Sequence, residues 1–445
     1  MVSKQRVKQP IPKNDSLLNK IFHGKYSTPF FIILIFLIFG ISFFKIAFLN
    51  YTPPASDSIQ WRASAEALIE YNKTHKDQAL WNPNIFSGMP GFMISLKAKY
   101  PYFDSLRKIT DKFMNWRIFY LFLGAVGIYF LMLMLGFEPL IAFIGAVSFG
   151  LSCHFIGLLE IGHNTKFRAV MFIPWIYLSI LYLRKHTNFL GLGLITAFLI
   201  IQLKENHPQI SYYTFLMIGI YWIYQLIEAI KEKKIGKFIL FSVMLLISFV
   251  IVFMAVSQIY LVNYEYLKFS IRGGATGLDK GYAQSWSFHP LEILTFWNPG
   301  LFGGVSPYYW GWMPFTQTSM YFGIIVFVLM IFGISNFKSQ TVKILLTISI
   351  VSLLISFGRH FPLLSDLLLK YLPGFNKFRV PAMILVLFQF SAVILAGYGL
   401  KLIIAKLREN DEKFVSLVQK ILIAVVVLFL VFMLFSSVFG KLSLT

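Results

Sequence analysis

The chain has 445 residues, 57% of them hydrophobic and 13% charged, with a mean hydropathy of +0.69 and a formal net charge of +21. That composition excludes a water-soluble globular domain, and the cations form no continuous basic module of the kind that binds nucleic acid. A single cysteine, Cys153, excludes an intrachain disulfide and a cysteine-rich metal site; inside an apolar segment its expected role is core packing.

In chain order, "MVSKQRVKQPIPKNDSLLNKIFHGK" is too long and polar for the start of a cleaved signal peptide, and no small-residue cleavage site follows it. It reads as a cytoplasmic tail, residues 1–28, before a retained first helix. About 20 apolar residues cross a bilayer core, and eleven segments approach that length: 29–50, 117–136, 138–159, 168–183, 188–203, 210–229, 238–262, 318–336, 343–358, 381–403 and 421–440. The expected fold is an all-α polytopic membrane protein of about eleven transmembrane helices over 29–440. An odd count places the short tail 441–445 outside. The short basic connections "RKHTN", "KEKKIGK" and "NFKSQTVK" fall on the same side as the N-terminal tail, as the positive-inside rule requires.

The outer segments 51–116, 159–167, 203–209, 263–317 and 359–380 then hold most of the Trp, Pro, Gly, His and acidic residues outside the helices, so function is sought there. In the first large loop, 51–116, Ile59, Ala63, Ala67 and Leu68 recur at helical spacing and predict an amphipathic helix. Trp81, Phe86 and Phe92 of "WNPNIFSGMPGF" suit the headgroup level. The second large loop, 263–317, is rich in glycine and aromatics and reads as a cover over a site. Its "WNPGLFGGVSP" resembles "WNPNIFSGMP", either by duplication or as a similar turn reached twice.

Asp57, close to the exit of the first span, is placed to act as a base on a lipid-linked substrate; a solvated loop acid or a helix cap near Ser58 is the plain alternative. "LLEIGHNTKFR" gathers Glu160, His163, Asn164, Lys166 and Arg168. On a continuous helix Glu160 and His163 share a face, a spacing that holds divalent metals in helical bundles. Lys166 and Arg168 suit a phosphate or an interfacial pair. In "QLKENHPQISYY", Asn206 or His207 can cap the helix that Pro208 opens, which leaves Glu205 as an ionisable residue at the membrane edge without a structural account. Arg359, His360, Lys377 and Arg379 form a cationic group suited to a phosphate or to anionic lipid.

With "SDSIQW", "WNPNIFSGMPGF", "GHNTKFRAVMFIPW", "ENHPQISYY" and "SFGRHFPLLSDLLLKYLPGFNKFRVPAMILV" in that order over roughly 50–400, the chain resembles the bacterial YfhO-type membrane proteins, assigned to the GT-C class of polyprenyl-phosphate-dependent glycosyltransferases. The resemblance implies a sugar moved, with inversion, from a polyprenyl-phosphate donor to an extracytoplasmic cell-envelope glycan, lipid or protein in the bacterial cytoplasmic membrane. Asp57 stands in the place of the catalytic acid, and Glu160 in that of a second acid. The expected roles are Asp57 as base; Glu160, His163, Asn164, Glu205 and His207 for the acceptor or a divalent ion (Mg or Mn, at Glu160 and His163); and Lys166, Arg168, Arg359 and Arg379 for phosphate. Metal-free transfer is an equal alternative. Family members usually continue past the last spans, whereas this sequence stops at "FGKLSLT"; the expected alternatives are a truncated form, a member whose distal part is lost, or one whose distal part is a separate chain and so a potential partner. The rival readings are a transporter or flippase for a lipid-linked or anionic solute, whose path would carry charges nearer the midplane, and a non-catalytic scaffold for envelope assembly.

Overall fold

The computed structural model describes residues 24, 26–95, 112–273 and 277–442. Most of the expected tails 1–28 and 441–445, the end of the first large loop at 96–111 and part of "RGGATG" lie outside the described residues. Among those described, sixteen α-helices of six residues or more make the chain mostly helical.

The first apolar segment divides at Phe43 into α1, Ser27–Ser42, and α2, Phe44–Leu49, and Asn50 ends it in the left-handed region at φ 57°. Next comes α3, Ser56–Thr74, then a two-residue hairpin pairing β1, Trp81–Asn82, with β2, Met89–Pro90, Trp81 opposite Pro90. The predicted helix is therefore present, but its buried residues are Ala65 and Leu68, while Ile59, Ala63 and Ala67 are exposed. The hairpin decides the face: the Asn82 amide donates to the Ser64 carbonyl at 2.7 Å, and Gly91 approaches Leu68 closely. Both W-N-P strings turn by the same local device, an Asn side chain accepting the N–H two residues on (Asn82 from Asn84 at 3.0 Å, Asn298 from Gly300 at 3.1 Å).

The bundle follows: α4, Trp116–Met134, capped by Asn115; α5, Pro139–Gly150; α6, Cys153–Ile161; α7, Asn164–Met171; α8, Ile173–His186; α9, Phe189–Lys204, capped by Asn188; α10, Pro208–Lys231; α11, Ile235–Leu267; α12, Ile324–Ile334; α13, Gln340–Ser356; α14, Pro362–Tyr371; α15, Leu385–Arg408; and α16, Glu412–Leu442. Among the described residues, seven helical stretches are long and apolar enough to cross a membrane: Trp116–Met134, Pro139–Ile161, Asn164–His186, Pro208–Lys231, Ile235–Leu267, Pro381–Arg408 and Glu412–Val431. This is an all-α membrane protein. The shorter apolar helices α1, α9, α12 and α13 fall on the other four expected segments. The segment expected from 318 becomes helical only at Ile324, because Gly323 adopts φ 105°.

At the centre lies α15, buried on every side from Leu385 to Gly397, as an all-round apolar helix must be. It packs on α5, α12 and α13. Its approach to α12 needs two glycines, since a Cβ at Gly333 would lie 1.8 Å from the Leu395 carbonyl oxygen and one at Gly399 1.9 Å from that of Leu329. Cys153 departs from expectation: α6 starts there after a kink at Leu151 and Ser152, and the thiol is exposed on an apolar groove of about 410 Å³ between α5, α12 and α15. For a side chain facing lipid, that setting is as apolar as a core.

The segments expected on one face do meet at one end of the bundle. The Ala55 N–H donates to the Glu160 carbonyl, the Asn263 amide to Asn206, Gln209 to the Arg379 carbonyl, and the Leu278 N–H to the Asn376 carbonyl.

Candidate functional site

The corner between α6 and α7 is made by Gly162, at φ 96°. A Cβ there would lie 2.5 Å from the Ser58 hydroxyl and 2.9 Å from the Ser58 nitrogen, so glycine is what allows the first turn of α3 to sit in the corner. Two hydrogen bonds hold it: Ala55 N–H to the Glu160 carbonyl at 2.9 Å, and the Asn164 amide to Ser58 Oγ at 3.0 Å. Asp57, in that first turn, thereby meets His163 at the start of α7, with its carboxylate 2.8 Å from His163 Nε2. Residue 55, not Asp57, occupies the cap position of α3.

The same corner overturns the shared face expected of Glu160 and His163. The helix ends between them; Glu160 is exposed and contributes its backbone carbonyl, while His163 turns to Asp57. Among the described residues no group of three or more His, Cys, Asp or Glu side chains is placed to hold a metal ion. The helical spacing that would have set Glu160 and His163 side by side on a divalent ion is therefore not kept.

Asp57 and His163 open onto a cavity of about 510 Å³ whose lining also includes Gln60, His154, Lys166, Trp286, Thr318 and Arg379. Four residues singled out from the sequence, Asp57, His163, Lys166 and Arg379, thus share one space although they come from three distant stretches of chain. Lys166 is 7% exposed and has no ion-pair partner among the described residues; a buried cation without a counter-charge is costly, and an anion entering the cavity would relieve that cost. Arg379 stands on aromatic faces, its guanidinium 5.0 Å from the Tyr282 ring centre and 5.7 Å from that of Trp286, and it donates to the Tyr282 hydroxyl. Gln209 on α10 fixes its backbone.

The large aromatic loop builds one wall. Trp286 donates from its indole nitrogen to the Phe315 carbonyl at 2.8 Å, and Tyr309 donates to the buried carboxylate of Glu292. Burial pushes the Glu292 carboxyl above its ordinary value, against the donors Tyr309 and the His289 N–H. Burial and the Lys166 ammonium push the His163 imidazole below its ordinary value, with Asp57 opposing. His207 is driven further, to about 3, by burial first and then by Lys166.

The remaining expected residues lie apart. Arg168, two positions after Lys166, leaves α7 on another side and pairs with Glu205, whose second oxygen accepts from the Tyr120 hydroxyl at 3.0 Å. This supplies the structural account of Glu205 that the sequence lacked. His207 is the cap of α10, its Nδ1 accepting the Ile210 N–H at 3.3 Å. Arg359 is exposed and meets Ser287 through its backbone. Sequence reasoning missed His154, Gln60 and Trp286. For His154 a signal existed, an ionisable residue inside an apolar span; Gln60 and Trp286 carried none.

A scan against models of known families and a search of curated proteins each find no match for this chain.

Proposed function

We propose that this protein is a glycosyltransferase of the GT-C kind, with eleven membrane-crossing helices and its site on the extracytoplasmic face of a bacterial cytoplasmic membrane. The observation that carries the reading is the meeting of the Asp57–His163 pair with the buried, unpaired Lys166 in one cavity at the end of an apolar bundle.

In this reading the donor is a sugar on a polyprenyl phosphate. Its phosphate lies between Lys166 and Arg379, one a buried point charge and the other a planar guanidinium held on two rings. Asp57 takes the proton of an acceptor hydroxyl. The acceptor oxygen bonds to the anomeric carbon from the side opposite the phosphate, the carbon–oxygen bond to the phosphate breaks, and the phosphate leaves with the electron pair. Configuration inverts. Preorganised cations stabilise that leaving charge without a metal. His163 donates from Nε2 to the Asp57 carboxylate and fixes its direction, a positioning part. Arg168 and Glu205 serve the scaffold, since each already neutralises the other.

The test is transfer in membranes from a panel of radiolabelled polyprenyl-phosphate sugars. Wild-type transfer lost in Asp57→Asn, with expression unchanged, is the expected result. Full transfer in that variant, or none from any donor by folded wild type, overturns the reading.

A further inference from the structure

His154 is the buried polar residue of the cavity that the proposed reaction does not use. Its side chain comes from the first turn of α6, is 1% exposed and lines the cavity. Its Nδ1 lies 3.1 Å from the Thr318 hydroxyl, which fixes the ring; its Nε2 is buried without a hydrogen-bond partner. A buried polar atom left unpaired is costly, and such atoms are few in folded proteins. The Thr318 contact is itself built into the backbone: Gly157 lets Thr318 lie against α6, where a Cβ would come 2.9 Å from the Thr318 methyl carbon.

We propose that His154 reads the sugar of the donor through a hydrogen bond between Nε2 and a ring hydroxyl, an inference that rests on the lipid-linked donor reading above. The sugar is esterified to the phosphate, so with the phosphate on Lys166 the ring lies within a few bond lengths of that ammonium, among the uncharged polar groups of the same cavity. His154 Nε2, Gln317 and Thr318 are such groups. A hydroxyl both donates and accepts, so it satisfies Nε2 in either tautomer, whereas an anionic oxygen can only accept. A cavity of about 510 Å³ is also of the size that takes a small polar ligand, roughly 300–1,000 Å³.

The probes are short-chain polyprenyl phosphate without sugar and the same lipid carrying each of a panel of hexoses and pentoses, measured by direct binding to purified full-length protein in detergent. Wild type binds at least one glycosylated lipid more tightly than the bare phosphate. In His154→Phe that preference falls by about tenfold, the worth of one hydrogen bond with its partner left unpaired, while bare phosphate binds as before. His154→Gln, which keeps a polar end, retains part of the preference and serves alone if the Phe variant does not fold. Equal weakening of both lipids, or a preference unchanged in either variant, overturns the inference and leaves the donor reading intact. Absence of any lipid binding by wild type overturns the donor reading and the inference with it.

Discussion

Lys166 and Glu205 lie within one short region of the bundle and respond to removal in opposite ways. The ammonium of Lys166 is buried without a counter-charge, which costs folding free energy. Lys166→Met should therefore raise the thermal midpoint in detergent, by an amount worth on the order of 1 kcal/mol, while donor binding is lost; a scanning melt beside a lipid-binding assay checks both. Glu205 is already paired, and its side chain is 11% exposed. Glu205→Gln leaves Arg168 charged and unmatched and should cost about 3–5 kcal/mol, with part of the loss recovered in the double variant Arg168→Met, Glu205→Gln. The sequence points to the two for different reasons, Glu205 as a charge at a membrane edge and Lys166 as a cation beside acids. Which reason applies depended on neighbours far away in the chain: Tyr120 and Arg168 for Glu205, an open cavity for Lys166. Spacing along one segment cannot hold that information.

Among the elements, the corner at Gly162 decides whether a site exists. Gly162→Ala places a Cβ against Ser58 and forces a non-glycine residue into the left-handed region, a conformational cost of roughly 1–2 kcal/mol before any displacement of α3. The expected outcome is a lower melting midpoint with transfer reduced as far as in Asp57→Asn, because Asp57 leaves His163. Hydropathy over about 20 residues located the apolar helices, because a run of that length is a strong signal. It did not predict their ends. The breaks at Phe43 and at Leu151–Ser152 and the late start at Ile324 depend on one or two backbone conformations each. The buried face of α3 was misread for a related reason: the hairpin that covers Ala65 and Leu68 is a tertiary partner.

For the molecule as a whole, acid should act through histidines at the end of the bundle. His207 has its folded value depressed from 6.5 to about 3, and His163 and His360 are depressed as well. Between those values the unfolded chain binds a proton that the folded chain refuses. Stability is therefore full above about pH 6.5 and falls as the pH drops through the window toward 3. His207→Asn keeps a good cap for α10 and removes the titrating group, so its melting midpoint should depend less on pH across that window than that of wild type; equal slopes would show that the sensitivity lies elsewhere. The gathering of five separated segments at one end was legible in the alternation of apolar and polar stretches. Their assembly into a common cavity was not, because it is made by contacts such as Gln209 to Arg379 that join residues far apart in sequence.

The exposed thiol of Cys153 gives this chain an experimental convenience that most membrane proteins must be engineered to acquire. It is the sole cysteine in the sequence, it lines the apolar groove, and its neighbour in the chain faces the polar cavity. A spin label or a fluorinated tag attached there would report from native sequence, at one known address, on what happens across the thin wall between lipid and site.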